Sequence, residues 1–131
     1  MDQVDQQISA LLKSDSKLTH REIGEKVHLT GQAVGQRITH LVANGTIQNY
    51  TVNIDYGYKQ FIRLSMTSLS FSEIERAIKE VEQIDEFYKV SGPSCYFIVS
   101  HFNPVELTEF IELVSKWAIY SVDTVVGNRL I

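Results

Sequence analysis

The apolar positions of this chain recur at helical intervals up to Val42, and beyond Phe61 alternating runs enter between the helical stripes. Val4, Ile8, Leu11 and Leu12 stand at i, i+4, i+7 and i+8, one face of a first helix. The polar stretch Ser14–Lys17 ends it. In Leu18-Thr19-His20-Arg21-Glu22-Ile23 the Thr19 hydroxyl suits the amide of Glu22, and the Glu22 carboxylate suits the amide of Thr19. Leu18 and Ile23 flank that capping box as a hydrophobic staple, so the spacing predicts a short second helix running to about Val27. Thr30 is the natural N-cap of a third helix, with Leu29 and Val34 as its staple pair and Asn44-Gly45 as a left-handed end. TIQNYTV, residues 46–52, is rich in β-branched residues and predicts a short strand. Two helices across a tight turn, with a helix before and a strand after, form a winged helix-turn-helix.

Residues 53–59 (NIDYGYK) read as a linker of turn-forming residues. Ile62, Leu64 and Met66 then alternate with Arg63, Ser65 and Thr67, a strand with one buried face. Ser70–Glu75 offers two overlapping capping boxes ahead of the stripe Ile74, Ala77, Ile78 and Val81. Phe87–Val90 predicts a strand, Gly92-Pro93 a turn, and Cys95–His101 another strand. Asn103 to Glu106, with Pro104 at the first helical position, caps a helix whose stripe is Leu107, Phe110, Ile111 and Val114. Tyr120–Val126 closes with a fourth strand. The order βαββαβ is that of a ferredoxin-like domain. The expected fold class is therefore α+β: a winged helix-turn-helix domain over residues 1–52, a linker over 53–59, and a βαββαβ effector-binding and oligomerisation domain over 60–131. Both helices can cover one side of the sheet, which leaves the other uncovered. Phe61, Tyr96, Ile98 and Val125 are assigned to that open face, and exposing them together is costly, so a homodimer through residues 60–131 is expected.

Composition narrows the setting. The chain has 131 residues, 44% hydrophobic and 21% charged, an ordinary globular balance. One cysteine, Cys95, permits no intrachain disulfide and points to a reducing compartment. The N-terminus MDQVDQQISALL lacks the basic start and apolar run of a signal peptide. No apolar stretch approaches the ~20 residues that cross a bilayer. A cytoplasmic protein without a membrane partner is expected. The net charge of −4 counts against a nonspecific nucleic-acid coat, but it is unevenly spread. Residues 1–50 balance five basic against five acidic side chains, and residues 51–131 hold seven against eleven. The first half is the one that tolerates a polyanion.

The third helix carries the candidate chemistry. Taking Val34 as zero at 100° per residue, Ile38 and Leu41 stay on its side, while Gln32, Gln36 and Thr39 fall opposite, with Ala33, Arg37 and His40 bordering them. No acid stands on this face. Glutamine suits adenine bidentately, arginine suits guanine or phosphate, and small residues permit close approach to the groove. Gln32, Gln36 and Arg37 are the expected base readers, with Thr30, Ala33 and His40 in support and Arg21 on phosphate. Gly31 and Gly35, each worth up to about 1 kcal/mol less than alanine in a helix, read as clearance for DNA. A solvated surface face is the plainer account of such a helix, and only the surrounding helix-turn-helix context favours DNA.

Catalytic chemistry finds little support. His20, His28, His40 and His101 are scattered without metal-ligand spacing, so neither a metal nor a cofactor is expected. Cys95 opens an apolar strand, the usual place of a small buried hydrophobe. No Gly-rich phosphate loop or nucleophile elbow is present.

Taken together, "DQVDQQISALL", "LTHREIGEKVHLT" and "VGQRITHLVANGTIQNYTV" resemble the Lrp/AsnC family, the leucine-responsive or feast/famine transcriptional regulators. The last stretch meets a V..R...L...G.I..Y signature with Val34, Arg37, Leu41, Gly45, Ile47 and Tyr50. The resemblance implies a sequence-specific regulator of double-stranded DNA that dimerises through its second domain. It also implies assembly to tetramers or octamers in many members, and response to an amino acid or other metabolite. The family's effector turn begins V[ST]G and commonly continues with DYD. Here Val90-Ser91-Gly92 runs on to Pro93-Ser94-Cys95-Tyr96, so both acidic positions are gone. Ser91, Gly92, Ser94 and Cys95 are the effector-binding candidates the resemblance implies, with the usual carboxylate partners of an ammonium missing. The alternative on the same layout is an enzyme resembling siroheme decarboxylases, for which His101, Arg63 and Arg129 are dispersed in sequence.

Overall fold

The computed structural model describes residues 1–131. They divide into two compact units, Met1–Asn53 and Ile54–Ile131.

The first unit holds α1 (Gln3–Ser14), α2 (His20–Val27) and α3 (Gly31–Ala43). Each begins on a side-chain cap. Asp2 accepts the amide of Asp5 at 2.8 Å, and Thr30 accepts that of Ala33 at 3.1 Å. Thr19 and Glu22 form the expected capping box, both bonds 3.1 Å. α2 ends at His28 in the left-handed region (φ 61°), and the carbonyl of Gly24 takes the amide of Leu29 at 3.0 Å. A Cβ on Gly24 would lie 2.3 Å from the Leu29 carbonyl oxygen, so only glycine lets this turn close. α3 ends where Gly45 (φ 81°) turns the chain and Ile47 donates to the Leu41 carbonyl at 3.0 Å. Ile8, Ile23, Val27, Val34 and Ile38 form the core, edged by Leu18, Leu29 and Ile47. So small a core leaves stability sensitive to its caps and ion pairs.

The strand expected over residues 46–52 does not form, so the helix-turn-helix has no wing strand. β-branched residues favour an extended chain, but a strand needs a hydrogen-bonding neighbour, and this unit holds no other strand. Tyr50 and Val52 remain exposed there.

The second unit runs β1 (Gln60–Met66), α4 (Phe71–Lys79), β2 (Ile84–Lys89), β3 (Tyr96–Ser100), α5 (Pro104–Val114) and β4 (Ala118–Thr124). The sheet order is β2-β3-β1-β4, and each pairing is antiparallel. β2 and β4 start before the positions expected, because pairing with β3 and β1 carries them into polar and mixed sequence. Asn103 and Glu106 form a capping box on α5, whereas Ser70 makes no side-chain cap: its ψ of 48° leaves the extended geometry a cap requires.

Register corrects the assignment of sheet faces. Ile62 stands opposite Ile98 and Leu64 opposite Tyr96, so Tyr96 and Ile98 point to the helix side, into a core with Ile74, Ile78, Phe102, Phe110 and Val114. The Tyr96 hydroxyl donates to Glu75, and burial followed by that bond pushes its pKa up. The open face is instead formed by Phe61 with Val99, and by Phe97, Tyr88 and Ile119. Phe61 stands on the open face, as expected. Val125 lies one residue past β4, its amide on the Lys59 carbonyl at 2.9 Å. Gln60 is the buried polar residue that starts β1. Its amide donates to the Phe102 carbonyl (2.8 Å) and accepts from Ser100 Oγ (2.8 Å) and the Phe102 amide (2.9 Å).

Candidate nucleic-acid interface

α3 buries Val34, Ile38 and Leu41 and exposes Gln32, Gln36, Thr39 and His40. The helix carries no acidic residue. Its exposed glutamines stand one turn apart with no intramolecular partner that would occupy their amides. The Thr30 Oγ accepts the Ala33 amide, which leaves the hydroxyl proton free to donate outward. The Thr39 hydroxyl, by contrast, donates to the Gly35 carbonyl at 2.9 Å. Ala33 is half-buried beside the exposed face, and His40 lies on the last turn, fully on the surface.

Arg37 is placed differently from a base reader. Its Nη1 lies 2.9 and 2.7 Å from the two carboxylate oxygens of Asp2 and 3.2 Å from Asp5 Oδ1. The guanidinium therefore ties α3 to the N-terminus of α1. The Asp5 amide, then the Arg37 guanidinium, hold the Asp2 carboxyl below the usual carboxylate range. Asp2 and Asp5 together hold the Arg37 pKa above its usual value. Sequence reasoning missed both aspartates, although their i, i+3 spacing at the start of α1 was visible.

The glycines of α3 are explained by packing on α2. A Cβ on Gly35 would meet His20 Nδ1 at 2.9 Å, and one on Gly31 would meet the Arg21 backbone nitrogen at 3.3 Å. The close crossing of α2 and α3 is tight against backbone at Gly31, whereas at Gly35 only the end of the His20 side chain stands in the way. Arg21 itself is exposed, its side chain 87% accessible, with Glu25 at 3.7 Å as a loose i, i+4 neighbour.

In the second unit, Ser91, Gly92 and Ser94 line an open cavity of about 210 Å³ together with Arg63, Pro93 and Phe97. No carboxylate lines it. Cys95 faces elsewhere, its Sγ accepting the Met66 amide at 3.4 Å. The cationic side chains that a tetrapyrrole carboxylate would need are taken singly: Arg63 by Asp123 at 2.9 Å and His101 by Asp85 at 2.8 Å. No helix is long and apolar enough to cross a membrane.

A capped helix-turn-helix with an acid-free outer face, followed by a four-stranded βαββαβ unit, defines a class of DNA-binding transcriptional regulator. Residues 1–42 match the AsnC-type helix-turn-helix domain. The HTH-type transcriptional regulator LrpA of Bacillus subtilis (strain 168) is 31% identical, over 98% of this chain and 99% of its own length. The solved structure of B. subtilis LrpC superimposes with a TM-score of 0.86 at 25% identity, over 98% of this chain and 96% of that one. A transcriptional regulator from Neisseria meningitidis, NMB0573 in complex with L-Met, shares the fold with a TM-score of 0.83 at 18% identity, over 98% and 92% of the chains. The chain belongs to the Lrp/AsnC family of HTH-type transcriptional regulators.

Proposed function

We propose that Gln32 and Gln36 of α3 read base edges in a DNA major groove, with Thr30 and Arg21 on flanking phosphates and Ala33 and His40 lining the approach. The supporting observation is that both glutamine amides are exposed, unpaired and carried on a helix locked at its cap and by Arg37. In this reading Arg37 acts by holding α3 in place. Residues 1–52 form the DNA-binding domain, 53–59 the linker, and 60–131 the effector-binding and oligomerisation domain.

The open sheet face supports a homodimer. Phe61, Phe97, Tyr88 and Ile119 bring apolar surface together around the Arg63–Asp123 pair, and a second copy is the simplest cover for it. Two copies of α3 then address two related half-sites, and further assembly to tetramers or octamers extends the same surface logic. The cavity at Ser91–Ser94 serves as an effector site. With no carboxylate in its wall, an amino-acid ammonium lacks a counter-ion, and because Asp123 already pairs with Arg63, a ligand carboxylate would rest on the serine hydroxyls and backbone of residues 91–94. The L-Met of the Neisseria relative marks amino acids as the comparison set for a ligand screen.

Selection from random duplex DNA at moderate salt tests the central claim. Recovery of two related half-sites supports it. Failure to enrich any motif, with and without carboxylate and amino-acid ligands, would sink it.

A further inference from the structure

The linker carries a built turn that lays an aromatic ring on the second unit. Asp55 Oδ1 accepts the Gly57 amide at 2.8 Å, and Gly57 adopts φ 82°, so residues 55–57 form an Asx turn with Tyr56 at its apex. The Tyr56 ring lies flat on His101, centroids 3.6 Å apart and planes within 7°. His101 is held in turn. Its Nδ1 lies 2.8 Å from Asp85 Oδ2, its amide donates to the Gln83 carbonyl at 3.0 Å, and its side chain is only 15% exposed. The neighbouring tyrosines Tyr50 and Tyr58 are as exposed as Tyr56, yet neither stacks on another ring.

We infer that the Tyr56–His101 stack is a clip that sets the free length of the tether between the DNA-reading helices and the sheet, and with it the half-site spacing a dimer accepts. The consequence for DNA rests on the function proposed above; the clip itself does not. On the N-terminal side the last ordered backbone bond is Ile47 to Leu41, and β pairing resumes where Lys59 accepts Val125. With the clip closed the tether ends before Tyr56. Opening it frees residues 56–58, since Lys59 stays paired with Val125; each spans at most about 3.3–3.6 Å, or roughly 10–11 Å in all. At about 3.4 Å per base pair that corresponds to about three base pairs of added tolerance per protomer. Such a clip makes Tyr56 and His101 positioning residues for DNA recognition although neither touches DNA.

Hydrogen exchange on the full chain and binding to duplexes with graded half-site spacing test this in wild type, Tyr56→Ala and Tyr56→Phe. Tyr56 is on the surface and its hydroxyl makes no hydrogen bond, so both variants keep the fold and Phe keeps the stack. The expected result is amide exchange over residues 54–59 that is about two- to tenfold faster in the Ala variant, from the usual strength of an aromatic pair. Its spacing profile flattens by up to about three base pairs, by the reach estimated above. The Phe variant matches wild type in both. Equal exchange in the Ala variant and wild type overturns the clip, and faster exchange with an unchanged spacing profile overturns its role in recognition. If wild type recovers no DNA motif, the DNA-reading proposal fails while the exchange comparison still decides the clip.

Discussion

Arg37 Nη1 grips both carboxylate oxygens of Asp2, at 2.9 and 2.7 Å, while the same carboxylate caps α1 through the Asp5 amide at 2.8 Å. One aspartate thus starts the first helix and anchors the third. Its depressed pKa sets the sign of the pH dependence: stability is full above the unfolded carboxyl pKa and is lost as pH falls through the folded value. Arg37, with its raised pKa, would lose its share only in strong alkali. The N-terminal unit is therefore expected to weaken on the acid side, below about pH 4. Asp2→Asn keeps a good cap and removes the charge. It should lower the urea midpoint at pH 7, flatten the acid dependence and reduce the sensitivity to salt. A variant with the wild-type acid profile would show that the pair contributes nothing measurable.

The glycines divide by what a methyl group would strike. At Gly24 it meets backbone, the Leu29 carbonyl oxygen at 2.3 Å; at Gly35 it meets the end of a side chain, His20 Nδ1 at 2.9 Å. Gly24→Ala should cost roughly 1–3 kcal/mol or more, because the turn itself has to move. Gly35→Ala gains up to about 1 kcal/mol of helix propensity against whatever is lost when His20 swings away. Placed on a His20→Ala background, Gly35→Ala should be stabilising. Chemical denaturation of the four variants reads this as a double-mutant cycle, and additivity between His20 and Gly35 would refute the contact.

Gln60 holds the start of β1 against the β3–α5 junction through three hydrogen bonds at 3% exposure. Gln60→Leu fills similar volume but strands the buried Phe102 amide and Ser100 hydroxyl. A loss of roughly 2–4 kcal/mol is expected, with Gln60→Glu intermediate because it can still accept both bonds. A near-neutral Leu variant in thermal or urea unfolding would mean that water enters and satisfies these groups.

How far the chain could be read without its structure follows from what each signal depends on. Thr19–Glu22 and Thr30–Ala33 caps are local, and local spacing displayed them. The six elements of the βαββαβ unit came from periodicity and stand in the structure, with edges displaced where strand pairing overrode composition. The face of Tyr96 and Ile98 is not legible in their own sequence, because parity is defined only by the partner strand, here Leu64 and Ile62. Residues 46–52 have strand composition but no strand beside them. Arg37 was legible as a cation near the groove-facing side, while its commitment to Asp2 depends on how α1 and α3 pack. The stack of Tyr56 on His101 joins residues far apart in the chain, and no pattern in either neighbourhood announced it.

Among the exposed residues of α3, Gln36 separates base reading from mere solvation. It sits mid-helix, exposed on the outward face opposite buried Val34 and Ile38, with no hydrogen-bond partner within the chain. Gln36→Ala should leave folding and oligomeric state intact. It should relax discrimination at one base step by about 1–3 kcal/mol, the range of one bidentate contact. Arg21→Ala is the control of opposite character: affinity falls evenly across sequences, and the slope of log affinity against log salt drops by about one unit. Binding isotherms on matched and single-mismatch duplexes at several salt concentrations distinguish the two. If Gln36→Ala lowers affinity for every duplex alike and shifts the salt slope, the side chain serves the backbone and the base reader must be sought at Gln32. If neither variant changes binding, α3 does not enter the groove by this face.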